Sequence, residues 1–250
     1  MSRTALVTGG AQGIGQGIST TLAAQGFRVA VVDRNLEPAQ ATAAAITEAG
    51  GTAVAVHADV TDTGSVQDAV ATVTAELGPV EIAVNNAGWD DFMNFVDTTE
   101  EFWDKVLDIN FKGMLRVCHT VVPGMLERGF GRIVNIGSDA GRVGSSLEAV
   151  YSGAKGGTIA FTKTLAREIA SAGLTANTVC PGPTDTAMLR AYADSSPDGA
   201  KVLAGMTRGV PMKRLAQPAD VAAAVAFFAS DAAGYITGQT LSVSGGLTMA

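Results

Sequence analysis

Histidine, cysteine and charge are all scarce in this chain. The two histidines, His57 and His119, fall in separate segments with no carboxylate pattern beside them, so a metal site is not expected. The two cysteines, Cys118 and Cys180, are isolated and show neither metal-ligand nor redox spacing. They read as reduced structural thiols of a cytoplasmic protein. Charged residues make up only 16% of the chain and the formal charge is -7, a poor balance for nucleic acid or a membrane surface. No apolar run approaches the ~18 residues that a membrane-spanning helix needs. The first residues lead into a strand with no charged-then-apolar leader pattern. What the chain has in quantity is apolar side chains, 47% of its 250 residues, and glycine, 30 residues. That is enough for one large core, in a size range that α/β folds fill as a single domain.

The first half alternates strand and helix. Thr4 to Thr8 is a short apolar run that leads into Gly9-Gly10-Ala11-Gln12-Gly13-Ile14-Gly15 and then into a helical pattern. Glycines at such a turn let the backbone come close to a pyrophosphate, whose charge the helix N-terminus favours. A second apolar run, Arg28 to Val32, ends at Asp33, roughly 20 residues beyond the turn, where an acid can accept hydrogen bonds from ribose hydroxyls. The same acid repels a 2′-phosphate, so NAD is expected over NADP, although the neighbouring Arg34 is a group that tolerates phosphate. Thr52 to Val56 reads as a third strand. After it, Asp59 suits either the adenine amino group or the cap of the next helix, for which Thr61 and Asp62 compete. Glu81 to Val84 is the fourth strand and runs into Asn85-Asn86-Ala87-Gly88. Buried amides at a strand end need partners, in neighbouring strands or in a ligand.

In the second half, residues 102–128 read as one long helix with Asn110 inside it. That asparagine suits a solvated or capping amide, or a helix perturbed to hold a water. Gly131 to Ile136 is a strand that ends near Ser138. Tyr151 and Lys155 are four apart, on one face of the next helix. A nearby ammonium favours a phenolate, so the pair reads as a proton donor and acceptor usable near neutrality. Gly153, Gly156 and Gly157 beside it cost the helix about 1 kcal/mol each, which argues that something approaches this backbone closely. Thr175 to Cys180 is the sixth strand, closed by Pro181-Gly182-Pro183-Thr184-Asp185-Thr186. Residues 187–210 read as a mobile lid, Pro218 to Ser230 as a helix, and Gln239 to Val243 as the last strand.

Over nearly its whole length the chain resembles the short-chain dehydrogenase/reductase family. The resemblance rests on Thr8-Gly9-xxx-Gly13-x-Gly15, Asn85 to Gly88, Asn110, Ser138, Tyr151-xxx-Lys155, Asn177, Pro181-Gly182 and Gly245-Gly246, in family order. It implies one Rossmann-type doubly wound α/β domain, with a seven-stranded parallel sheet of order 3-2-1-4-5-6-7 and helices on both faces. It implies a homotetramer in most members, with the Asn110 and Tyr151 helices against a partner subunit. Gly137 departs from the serine of many members, and Ser244 from their aspartate. Stretches such as Trp89-Asp90, Arg142 to Ser146 and Leu241 to Met249 further resemble the 2-hydroxycyclohexanecarboxyl-CoA dehydrogenases within the family.

Together these readings make Asn110, Ser138, Tyr151 and Lys155 the catalytic set. The cofactor is expected against Gly9, Gln12, Gly13, Ile14 and Gly15, then Asp33, Asp59 and Val60, then Asn86, Ala87 and Gly88. Tyr151 and Lys155 join it, with Pro181, Gly182, Thr184 and Thr186. The implied reaction is NAD-dependent interconversion of a secondary alcohol and a ketone, on a cyclic or β-hydroxyacyl-CoA, with Trp89, Arg142 and Ser145 lining the substrate pocket. Free bulky ketones, or a 3-oxoacyl-(acyl-carrier-protein) substrate reduced with NADPH, are the alternatives.

Overall fold

The computed structural model of the chain describes residues 2–195 and 199–249. Its seven strands are β1 (Thr4–Thr8), β2 (Arg28–Asp33), β3 (Thr52–His57), β4 (Val80–Asn85), β5 (Gly131–Ile136), β6 (Leu174–Pro181) and β7 (Thr240–Val243). All pair in parallel, in the order β3-β2-β1-β4-β5-β6-β7. The chain is therefore a single α/β domain of the expected topology.

Each central strand is buried on both faces, which is why these segments read as continuous apolar runs rather than alternating ones. Successive side chains feed two separate cores. Ala5, Val7, Val29, Val31, Ile82 and Val84 face a layer made by α1 (Gly13–Ala24), α2 (Leu36–Glu48) and, late in the chain, α10 (Pro218–Ala229). Leu6, Ala30, Val32, Ala83 and Ile133 face α3 (Thr63–Leu77), α5 (Gly113–Arg128) and α7 (Ala149–Ile169) on the other side.

The expected helix over 102–128 is three pieces. They are α4 (Glu100–Leu107), a π-helical turn (Asp108–Lys112) and α5. The wide turn is centred on Asn110, whose Nδ2 donates to the Val106 carbonyl at 2.9 Å and competes with the regular backbone ladder. Within the expected lid, α8 (Ala187–Ser195) and α9 (Gly199–Gly209) are helical; residues 196–198 lie outside the described residues. The short α6 (Ala140–Val143) completes the set. Asp62, not Asp59 or Thr61, caps α3, accepting from Gly64 and Ser65 N–H.

A chain of buried amides ties neighbouring strands of the sheet to the helix packed on them. Asn85 Nδ2 donates to Asn135 Oδ1 at 2.8 Å, Asn135 Nδ2 donates to Thr162 Oγ1 at 2.8 Å, and Thr162 Oγ1 donates to the Thr158 carbonyl at 2.7 Å. This chain links β4, β5 and α7, the element that carries the Tyr–Lys pair. Replacing Asn135 by alanine removes two buried hydrogen bonds, a cost of about 1–3 kcal/mol. Urea unfolding of N135A is expected to show that loss, whereas an unchanged midpoint would mean the amide chain contributes nothing.

Candidate active site

The strand order reverses between β1 and β4, and at that point the two C-terminal strand ends diverge and leave a crevice. Thr8 and Asn86 lace its floor. Thr8 Oγ1 accepts from the N–H groups of Asn86 and Ala87, each at 3.1 Å. Asn86 Nδ2 donates to the carbonyls of Thr8 and Gly9, each at 3.0 Å. The glycine turn is folded tightly onto this lacing. Gly9 has a φ of +60°, and a Cβ at Gly15 would lie 2.0 Å from the Gly9 carbonyl oxygen. No side chain caps the N-terminus of α1. Its first N–H groups therefore stay available to an anion, as a pyrophosphate requires.

Around that turn the other expected contacts gather. The buried Asp33 carboxylate accepts from Ala11 N–H at 3.2 Å and Asn35 N–H at 3.0 Å, so its charge is fixed at the end of β2; Arg34 beside it is exposed. Asp59 Oδ1 accepts from both the amide and the hydroxyl of Thr61. The Val60 carbonyl is held by Arg116. The methyl carbon of Thr186 lies 3.5 Å from where a Gly13 Cβ would be, so the segment after β6 folds against the glycine turn. Thr184 Oγ1 donates to the Gly182 carbonyl at 2.9 Å. Gln12 is exposed at the turn's tip and Ile14 packs on the core.

The remaining functional groups meet beyond the end of β5. The Ser138 hydroxyl, which accepts from Ala140 N–H at 3.1 Å, faces the Tyr151 oxygen and draws the phenol downward. Lys155 is buried, its Nζ 5.4 Å from the centre of the Tyr151 ring and donating to the Ile136 carbonyl at 3.0 Å. Gly88 separates it from Asn110: a Cβ there would stand 2.9 Å from Asn110 Oδ1 and 3.6 Å from Lys155 Nζ. Asn110 spends its amide on the main chain of Trp89, accepting from N–H at 3.2 Å and donating to the carbonyl at 2.6 Å. The π turn therefore pins the loop that follows β4. Gly137 has a packing reason, since a Cβ would lie 2.8 Å from Cys180 Sγ.

The electrostatics differ from the simple pairing of phenol and ammonium. Burial pushes the Tyr151 phenol above its ordinary value, and the Glu148 and Asp90 carboxylates push it the same way, against the pull of Ser138. Lys155 does not overcome them, because it sits under the ring and bonds a carbonyl. Burial brings its own ammonium down to about 8, with Cys180 and Asp90 opposing. Burial raises the two free thiols also, Cys118 to about 12 and Cys180 to about 11.

Of the three expected substrate contacts, Trp89 lies beside the site, its ring edge-on to Phe102 and under the Lys105 ammonium. Ser145 is exposed, and its carbonyl accepts from Glu148 N–H at 3.3 Å. Arg142 is engaged elsewhere: Nη1 donates to Ser242 Oγ at 2.7 Å, and that hydroxyl donates to the buried Asp139 at 2.5 Å. Asp90 and Glu148, which no sequence spacing pairs, meet beside Tyr151 in one small pocket. The signal for them is an acid in each of the two loops that flank the strand ends.

Residues 9–248 match the family whose description reads enoyl-(acyl carrier protein) reductase. The chain belongs to the short-chain dehydrogenase/reductase family. It is 42% identical to the acetoacetyl-CoA reductase of Allochromatium vinosum, over all of both chains. It is 40% identical to the 3-oxoacyl-(acyl-carrier-protein) reductase of Escherichia coli, over 98% of this chain and 97% of the other. Among solved structures it superposes on a single-residue variant of actinorhodin polyketide ketoreductase with NADPH, at a TM-score of 0.93 and 39% identity, over 98% of this chain and 97% of that one. These relatives favour ketoacyl reductases over the 2-hydroxycyclohexanecarboxyl-CoA dehydrogenases that the loops resemble. No helix among the described residues is long and apolar enough to cross a membrane.

Burial raises Asp90 to about 7 from an ordinary 3.8, against the pull of the Asp91 amide and with the help of Glu148. A carboxyl raised on folding contributes fully below its unfolded value and loses that contribution as pH rises through the folded one. The D90N variant is therefore expected to gain melting temperature relative to the parent as pH rises from 5 to 8. A gap that stays constant across that range would show that Asp90 titrates normally.

Proposed function

We propose that the chain is a nicotinamide-dependent ketoreductase that interconverts a β-ketoacyl thioester and its β-hydroxy counterpart. The carrying observation is the convergence of Ser138, Tyr151 and Lys155 at the end of β5, on the crevice edge of the sheet. The names of the relatives support the β-ketoacyl class. A homotetramer is part of the same reading, and exposed Phe95, Phe227 and Tyr235 supply apolar surface that self-association covers.

The glycine turn, the uncapped α1 terminus and the strand-end lacing fit a dinucleotide. Bound there, the nicotinamide supplies or accepts the hydride. The chain's own part is proton handling and positioning. In reduction, Tyr151 Oη gives its proton to the ketone oxygen. Ser138 Oγ donates to the same oxygen, which holds it against the tyrosine and stabilises the negative charge that develops. Lys155 supplies positive charge beneath the ring as the phenolate forms. Asn110 keeps the Trp89 backbone in place beside them and, in this reading, orders a water that connects Lys155 to solvent. Asp33 selects NAD: its fixed carboxylate accepts from ribose hydroxyls and repels a 2′-phosphate. Segment 187–210 acts as the substrate lid.

Y151F is expected to lose about two to four orders of magnitude in turnover of acetoacetyl-CoA while NADH binding, followed by fluorescence, persists. Substantial activity in that variant would remove Tyr151 from its role. Parallel assays with NADH and NADPH are expected to favour NADH, and D33A to shift use toward NADPH. A parent that prefers NADPH would overturn the cofactor assignment.

A further inference from the structure

The proton-donor role of Tyr151, on which this inference rests, sets it in an unusual neighbourhood. The loop after β4 and the loop before α7 are clasped by a backbone hydrogen bond from Met93 N–H to the Leu147 carbonyl, 2.9 Å. Leu147 holds a φ of +69°, a left-handed conformation that a leucine adopts only under constraint. That kink presents Glu148, the next residue, to Asp90 on the opposite loop. The two acids share a small pocket whose walls are Met93, Phe95, Phe102 and Leu147, and whose far side is Tyr151. Both Asp90 carboxyl oxygens are shut off from solvent without a well-formed donor. The Asp91 amide approaches, and Glu148 lies within side-chain hydrogen-bonding reach. Two ionised carboxylates only accept, so a bond between them requires that they share a proton.

We infer that Asp90 and Glu148 act as a positioning pair through Tyr151, holding negative charge beside the phenol so that it stays protonated and serves as the acid of ketone reduction. A phenol beside the pair's negative charge gives up its proton less readily, because its phenolate would add a further negative charge in an apolar pocket. The overall equilibrium of the reaction is untouched. What moves is the pH range in which each direction runs fast. Reduction needs the protonated tyrosine and is extended upward in pH, whereas oxidation needs the phenolate and is deferred to alkaline solution.

The other groups that face this centre act as follows. Ser138 faces the phenol oxygen and opposes the shift. Cys180 adds to the shift only as a thiolate, and burial holds its thiol up to about 11. Lys155 lies under the ring and is attracted by Asp90. Ser145 draws Glu148 downward, Asp91 adds charge next to Asp90, and Lys105 of α4 is turned onto the Trp89 ring.

The test is the pH profile of kcat/KM, in both directions, for the parent enzyme, D90N and E148Q, with acetoacetyl-CoA and NADH, then 3-hydroxybutyryl-CoA and NAD. Removing either charge is expected to move the Tyr151 limb of both profiles down by about one pH unit. The ratio of the two directions at any one pH, which the reaction equilibrium fixes, is expected to stay as in the parent. Superimposable profiles, or a uniform fall at every pH, would overturn the inference and leave the acids a structural part only. E148Q carries the test if D90N does not fold. Y151F separates the two levels. If it is inactive and the variant profiles do not move, only the pair's role fails; if it is active, the proton-donor assignment fails first.

Discussion

The lacing of Thr8 and Asn86 across the split in the sheet is the constraint on which the site depends. Where β1 and β4 part, their terminal backbone groups lose strand partners, and buried polar groups without partners are costly. One hydroxyl and one carboxamide satisfy five of the groups there, the Val84 carbonyl included. In doing so they press Gly9 and Gly15 so close together that no side chain fits at the second position. The anion cradle is thus a by-product of solving a strand-end problem, and its shape does not depend on a ligand being there.

A second accommodation sits one strand over. The π turn at Asn110 breaks a helix that would otherwise run unbroken. The freed carboxamide then holds both main-chain polar groups of Trp89, which begins the loop carrying Asp90. The helix defect and the acid beside the tyrosine are thereby mechanically joined. Irregular backbone of this kind, together with the left-handed Leu147, concentrates at the reacting end of the molecule, where strain is tolerated because the surrounding packing holds it.

Much of this is legible in the residues. Strands buried on both faces appear as apolar runs, so β1 and β5 read with the bounds they have, and the other strands within a residue or two at each end. The glycine turn, the strand-end amides and the Tyr–Lys spacing are local, and local patterns survive in a linear text. Three features are not readable. The break at Asn110 arises from one amide winning over a helical hydrogen bond, and propensity alone does not announce that. The bond of Arg142 to Ser242 joins residues a hundred apart. The Asp90–Glu148 contact depends on two loops meeting. The spacing of Tyr151 and Lys155 therefore predicts a phenol acidified by its neighbour four residues on, when acids from elsewhere in the chain push it the other way.

The link from Arg142 through Ser242 to Asp139 has a wider meaning. It bolts the edge strand β7 to the turn that begins directly after Ser138. The last strand of the fold therefore underpins the seat of the Ser138 hydroxyl. A change at Ser242 is therefore felt at Asp139, the residue next to Ser138.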